Sequence, residues 1–193
     1  MDNYVKMVLI YLRIRAKFPL ILLGETGCGK TSLIKSLVYF LRGRYRLVTF
    51  NIYSGLSYQE ILDFLSHNKL LNIVSSLERY KKLLNIGEEE KESKENIILF
   101  LNEINTTNSL NLLCDMFTKH AFLGRPLKPN LYIIAACNPY RLMLSKNEDI
   151  GYRNKKIHKV RNLVYTVNPL PLCLINYVFD FGNLREEDEK NIY

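Results

Sequence analysis

GETGCGKT, residues 24–31, fits the pattern G-x-x-x-x-G-K-[ST] at every fixed position. The chemistry behind that pattern is a grip on phosphate. Gly24, Gly27 and Gly29 let the backbone turn tightly and bring its N–H groups against anionic oxygens. Glu25, Thr26 and Cys28 complete the loop, with Cys28 read as a small filler rather than a reactive thiol. Lys30 supplies a compact positive charge for the outer phosphates. Thr31 can set its hydroxyl on Mg²⁺, and Ser32 carries the cradle into the next element. The pattern predicts a P-loop that takes ATP or GTP, with ATP and Mg²⁺ as the expected ligands. Its competitor is a glycine-rich turn that binds nothing.

Context favours the ligand. Residues 18–23 read FPLILL, a short apolar run of the kind a buried parallel strand needs. Beyond the loop, Leu33, Ile34, Leu37, Val38 and Leu41 fall on one helical face. Such a helix aims the positive end of its dipole at the phosphates.

Strand and helix patterns alternate through the chain, so an α/β fold with a mainly parallel sheet is expected. A first helix is predicted near residues 4–16, with Val5, Val8, Leu9 and Leu12 as its buried face and Arg13, Arg15 and Lys17 at its end. Strands are predicted at 20–23, 47–52, 97–101, 131–136 and 163–167, the last stopped by Pro169 and Pro171. Helical material is expected over 58–84, with breaks. A further helix is expected over 109–122, with Leu112, Leu113, Met116 and Phe117 as its apolar stripe.

A P-loop needs a partner strand that brings acidic chemistry to the metal and the attacking water. IILFLNE, residues 97–103, has that form, and ligands sit at the C-terminal edge of open α/β sheets. Glu103 is the candidate for polarising the water. Its competitor is a surface or helix-capping carboxylate. Asn102 stands where P-loop NTPases usually hold an Asp that supports the Mg²⁺ shell. It keeps one carbonyl acceptor and loses the charge, so binding should survive while hydrolysis is slowed or absent. Asn138, after IIAAC, can reach an outer phosphate or the water, and with Pro139 it also fits a turn.

Composition sets the bounds. With 193 residues and 48% apolar content, one globular domain is expected. No apolar run is long enough to span a bilayer, and the basic end of the first segment argues against a signal peptide. A cytosolic or nuclear location is the default, with cytoplasm as the expectation. The 4 cysteines are Cys28, Cys114, Cys137 and Cys173, and none form C-x-x-C, so no zinc site and no disulfide are expected. The net charge of +8 invites a nucleic-acid reading. The Lys and Arg are scattered, however, and the dense run at 88–95 is mostly acidic, so nucleic acid is an unlikely partner.

Several strings occur in a telling order: GETGCGKT, then NEINTT (102–107), GRPL (124–127), IIAACNPYR (133–141), LVYTVNPLP (163–171) and VFDFGNL (178–184). Together with VKMVLIYLRIRAKFP (5–19) they resemble an AAA+ unit of the mysterin family, giant ring-finger E3 ubiquitin ligases with a dynein-like ATPase core. The resemblance runs from about residue 5 to 184. It implies a P-loop NTPase of the AAA+ type, a three-layer αβα core with a five-stranded, mainly parallel sheet. Residues 1–184 would be the large nucleotide-binding subdomain, and 185–193 the start of a lid helix or a tail, with the helical lid largely missing. It implies Walker A at 24–31, a Walker B glutamate at Glu103, sensor 1 at Asn138 and an arginine finger at Arg161. Arg141 and Arg153 are rivals, and a surface role for Arg161 stays open. Neighbouring AAA+ units are the implied partners, with protein substrates possible through the parent. The chain departs from the family at Asn102, where Asp is usual. It also lacks a sensor 2 arginine and the ring-finger Cys/His clusters, as a fragment or truncated relative would.

Overall fold

The computed structural model describes residues 3–41, 43–72, 95–107, 110–139 and 167–182. Among these residues five strands form one sheet: β1 (Leu20–Gly24), β2 (Tyr45–Asn51), β3 (Asn96–Asn102), β6 (Leu131–Cys137) and β7 (Val178–Gly182). Their spatial order is β2-β3-β6-β1-β7, and every pairing is parallel. A small antiparallel pair, β4 (Ala121–Phe122) and β5 (Arg125–Pro126), stands apart. The helices are α1 (Asn3–Arg15), α2 (Lys30–Phe40), α3 (Tyr58–His67), α4 (Leu110–Thr118) and the short α5 (Leu172–Ile175).

Both faces of the sheet are covered, which is why its central strands β1, β3 and β6 read as apolar runs. On one face Leu20, Leu22, Ile98, Phe100, Ile134 and Ala136 pack against Ile10 and Ile14 of α1 and Leu33, Ile34 and Leu37 of α2. On the other, Leu99, Leu101, Ile133 and Ala135 pack with Ile61 and Leu65 of α3, and Leu113, Met116 and Phe117 of α4. The result is the expected three-layer αβα arrangement. Each fully buried aliphatic here is worth roughly 1.5–3 kcal/mol against exposure.

Two expectations are corrected, and a third falls mostly outside the described residues. The face of α1 was misread: Ile10 and Ile14 are buried, while Val5 is 42% and Leu12 56% exposed. Apolar residues lie on more than one side of this helix, and only the row of Met7, Ile10, Tyr11 and Ile14 meets the sheet. The fifth strand of the sheet is β7, which pairs with β1 from Ile21↔Val178 to Gly24↔Gly182. Of the strand expected at 163–167 only Val167 is described, buried and without strand pairing. The helix expected over 109–122 ends at Thr118. His120 and Leu123 then take positive φ (51° and 48°), and Gly124 (φ 73°) turns the chain between β4 and β5. Arg141, Arg153, Arg161, the helical material after residue 72 and the tail at 185–193 lie outside the described residues.

Candidate nucleotide-binding site

The loop leaves β1 at Gly24 and enters α2 at Lys30. Gly27 (φ 86°) and Gly29 (φ 88°) both sit in the left-handed region, where a Cβ costs about 1–2 kcal/mol. Gly24 is required for another reason. A Cβ there would meet Cys28 Sγ at 2.9 Å, Phe181 Cβ at 3.1 Å and Gly182 O at 3.2 Å. It lets the loop and β7 close on each other.

No side chain caps the first turn of α2, and that turn carries no acidic residue. Its leading N–H groups therefore present uncancelled partial positive charge at the loop. Lys30 is only 8% exposed. Its Nζ donates to Gly24 O (2.6 Å) and Glu25 O (2.8 Å) and lies 3.7 Å from Cys28 Sγ. Among the described residues no carboxylate forms an ion pair with it. A buried ammonium whose partners are neutral carbonyls, beside uncapped helix amides, is a site matched to an anion. Thr31 is half-buried in the same turn, while Thr26 and Ser32 are exposed at its mouth.

β6 lies between β1 and β3 in the sheet. The loop and the end of β3 are thus two strand spacings apart, roughly 10 Å. Asn138, the residue after β6, sits in that gap and is 8% exposed. Thr26 Oγ1 donates to its Oδ1 at 3.4 Å.

Glu103 follows β3 with φ 57° and ψ 44°, a left-handed backbone that non-glycine residues seldom adopt. Its side chain is exposed. The conformation is held from behind: Thr106 donates to Glu103 O through both its N–H (3.1 Å) and its hydroxyl (2.9 Å). Such backbone strain concentrates at functional sites. Asn102 continues the row of Ile98 and Phe100, which packs towards α2. Its amide pairs with that of Asn51, at the end of β2, at 3.3 Å.

Sequence reasoning missed Asn51 and Asn105. Asn105 is 2% exposed and bonds the backbone of Asn138 at both N–H and C=O. It lies inside the NEINTT string, yet its partner is 33 positions away and no local pattern announces it.

Among the described residues no group of three His, Cys, Asp or Glu side chains could hold a metal ion. Mg²⁺ commonly enters such sites on phosphate oxygens with one or two protein ligands, so the donor set fits a metal that arrives with a nucleotide. No helix among the described residues is long and apolar enough to cross a membrane.

A glycine loop between a central parallel strand and an uncapped helix, an acidic strand end, and a polar residue on the intervening strand together define the P-loop AAA class. The family model described as "RNF213 AAA domain" matches residues 1–141, and the chain belongs to that family. It is 35% identical over 97% of its length to E3 ubiquitin-protein ligase rnf213-beta of Danio rerio. It is 34% identical over 98% of its length to E3 ubiquitin-protein ligase RNF213 of Homo sapiens, the mysterin ligase. It spans only 4% of each of those relatives. A crystallised protein described as a candidate ATPase from Cytophaga hutchinsonii shares the fold across 98% of this chain and 49% of its own, with a TM-score of 0.52 and 14% identity.

Proposed function

We infer that this chain is an AAA+ nucleotide-binding module that holds MgATP on residues 24–32 and hydrolyses it when set against a neighbouring AAA+ unit. The observation that carries the reading is Lys30: a buried positive charge that meets no carboxylate among the described residues, enclosed by a glycine loop and the uncapped start of α2. ATP would supply the polyanion for that cradle, and Mg²⁺ the charge that neutralises its outer oxygens.

The protein's own part is positioning. The loop amides and Lys30 hold the outer phosphates, and an incoming phosphate oxygen replaces a loop carbonyl as partner of the ammonium. Thr31 offers its hydroxyl, and Asn102 a carbonyl, on the metal side. Glu103 is the base that orients water, and its fixed backbone keeps the carboxylate at the sheet edge. Asn138 senses the outer phosphate between them. Arg161, matched by family likeness, is the proposed finger for the neighbour's nucleotide. The ligase activity named for the relatives is assigned to parts outside these residues, since the chain has no zinc-ligand spacing. Protein substrates would likewise engage the longer parent, and the cytoplasm is the proposed location.

Single-turnover release of phosphate from the chain, alone and in the presence of its neighbouring unit, tests the reading. Turnover that disappears in Glu103→Gln while nucleotide stays bound supports it. Turnover unchanged by Glu103→Gln contradicts the role given to Glu103.

A second reading is a nucleotide-stabilised scaffold without turnover. Asn102 favours it, because the uncharged amide removes one negative charge from the metal's surroundings. In that case nucleotide raises stability by mass action alone.

A further inference from the structure

We propose that Asn105 is a positioning residue for Asn138, and that it sets how well the site distinguishes nucleoside triphosphate from diphosphate. The proposal rests on the nucleotide reading above.

β3 stops being a partner for β6 at its C-terminal end: the register runs to Leu101↔Ala135, and Glu103 then leaves in a left-handed turn. The backbone of Asn138 is beyond the reach of that ladder. Asn105 replaces it. From the 3₁₀ turn Ile104–Thr106, its Nδ2–H donates to Asn138 O (2.8 Å) and its Oδ1 accepts Asn138 N–H (3.3 Å). One backbone partner is an acceptor and the other a donor, so only one orientation of the carboxamide satisfies both. The side chain thus acts as one more rung of the sheet. With its main chain fixed this way, Asn138 points its carboxamide to Thr26 in the loop.

The clamp reaches further. Asn168 N–H donates to Asn105 O (2.7 Å), and Asn168 Nδ2 donates to Thr107 O (2.9 Å). Asn168 opens the segment that leads through α5 to β7, the strand lying against Gly24. Asn105 therefore joins the turn behind Glu103, the end of β6 and the approach to β7. Its side chain is buried and offers no atom to a ligand, so its effect on the site runs through Asn138.

The test is calorimetric titration of MgATP and MgADP into wild type, Asn105→Ala, Asn138→Ala and the double variant. Loss of a supporting partner typically costs ~10–100-fold, so Asn105→Ala is expected to cut the preference for ATP over ADP by at least about 10-fold. ADP affinity, set by the loop, should hold. Asn105→Ala should take nothing further from the ATP preference on the Asn138→Ala background, because Asn105 holds only the main chain of Asn138 and acts on the nucleotide through the side chain that this background lacks. Asn105→Asp keeps the acceptor for Asn138 N–H and loses the donor to its C=O. It should show the same loss in part, and it carries the test if the alanine variant does not fold. An unchanged ATP-to-ADP preference in a folded Asn105 variant, or additive losses in the double variant, overturns the proposal. Wild type that binds neither nucleotide overturns the nucleotide reading itself, and the proposal with it.

Discussion

Thr26 Oγ1 donates to Asn138 Oδ1 at 3.4 Å, joining the glycine loop to the end of β6 through side chains 112 positions apart in sequence. The bond is long for a hydroxyl donor, so it is weak and easily exchanged for a phosphate oxygen. It marks where an outer phosphate would be felt by both residues.

Glu103 holds a left-handed backbone at the end of β3. Glu103→Gly should relieve that strain and raise folding stability by about 1 kcal/mol, read as a higher urea midpoint. The same variant should lose turnover by ~10²–10⁴-fold if the carboxylate is the general base. A glycine variant that is less stable than wild type would show that the carboxylate, rather than the backbone, holds this turn.

Gly24 has no room for a methyl group between Cys28, Phe181 and Gly182. Gly24→Ala should force β7 away from β1 and cost about 1–3 kcal/mol in chemical denaturation, as overpacking does. Nucleotide affinity should fall with it, because the loop pivots on this residue. Unaltered stability would mean that β7 adjusts freely.

Asn102 pairs with Asn51 on the side away from β6. Asn102→Asp puts a carboxylate there, and Asn51 can turn its amide to donate. Steady-state phosphate release should rise ~10–100-fold if the missing charge limits the metal's surroundings. No rise with binding intact would favour the scaffold reading.

Cys137 and Cys114 give the protein a pH signature. Burial pushes the Cys137 thiol up to about 12, although the charge of Lys30 pulls the other way. Burial also raises Cys114 to about 12, with Cys173 Sγ, 2.9 Å away, adding to the effect. The fold prefers both thiols neutral. Their contribution to stability is complete below the ordinary thiol value of 9.0 and is lost as the pH climbs towards about 12. Native-state alkylation at pH 8 should accordingly spare both, since only the thiolate reacts. Cys137→Ala should flatten the fall of stability in that alkaline window. A variant as steep as wild type would assign the fall to other groups.

The sheet and its two helical layers were legible because the central strands β1, β3 and β6 carry apolar runs and the loop fits a fixed pattern. Leu33, Ile34 and Leu37 appear where helical spacing put them. α1 was misjudged because its apolar residues do not form a single stripe, and the sheet rather than the sequence decides which row is covered. β7 was missed since its five residues, VFDFG, are broken by Asp180 and end in glycine, with little to separate them from a loop. Its identity as a strand comes from lying beside β1. In the candidate site, the loop residues, Glu103 and Asn138 were named from motif, and they lie at the ends of neighbouring strands. Asn105 could not be named this way, because its role is to bond a main chain 33 residues distant, and such bonds leave no spacing to read.

The central claim is that the Lys30 cradle holds triphosphate, and calorimetric titration of MgATP into wild type and Lys30→Ala tests it most directly. Saturable binding at one site in wild type, lost or greatly weakened in a folded Lys30→Ala, is the expected result. The same binding isotherm for both proteins, or no binding to wild type, would contradict it.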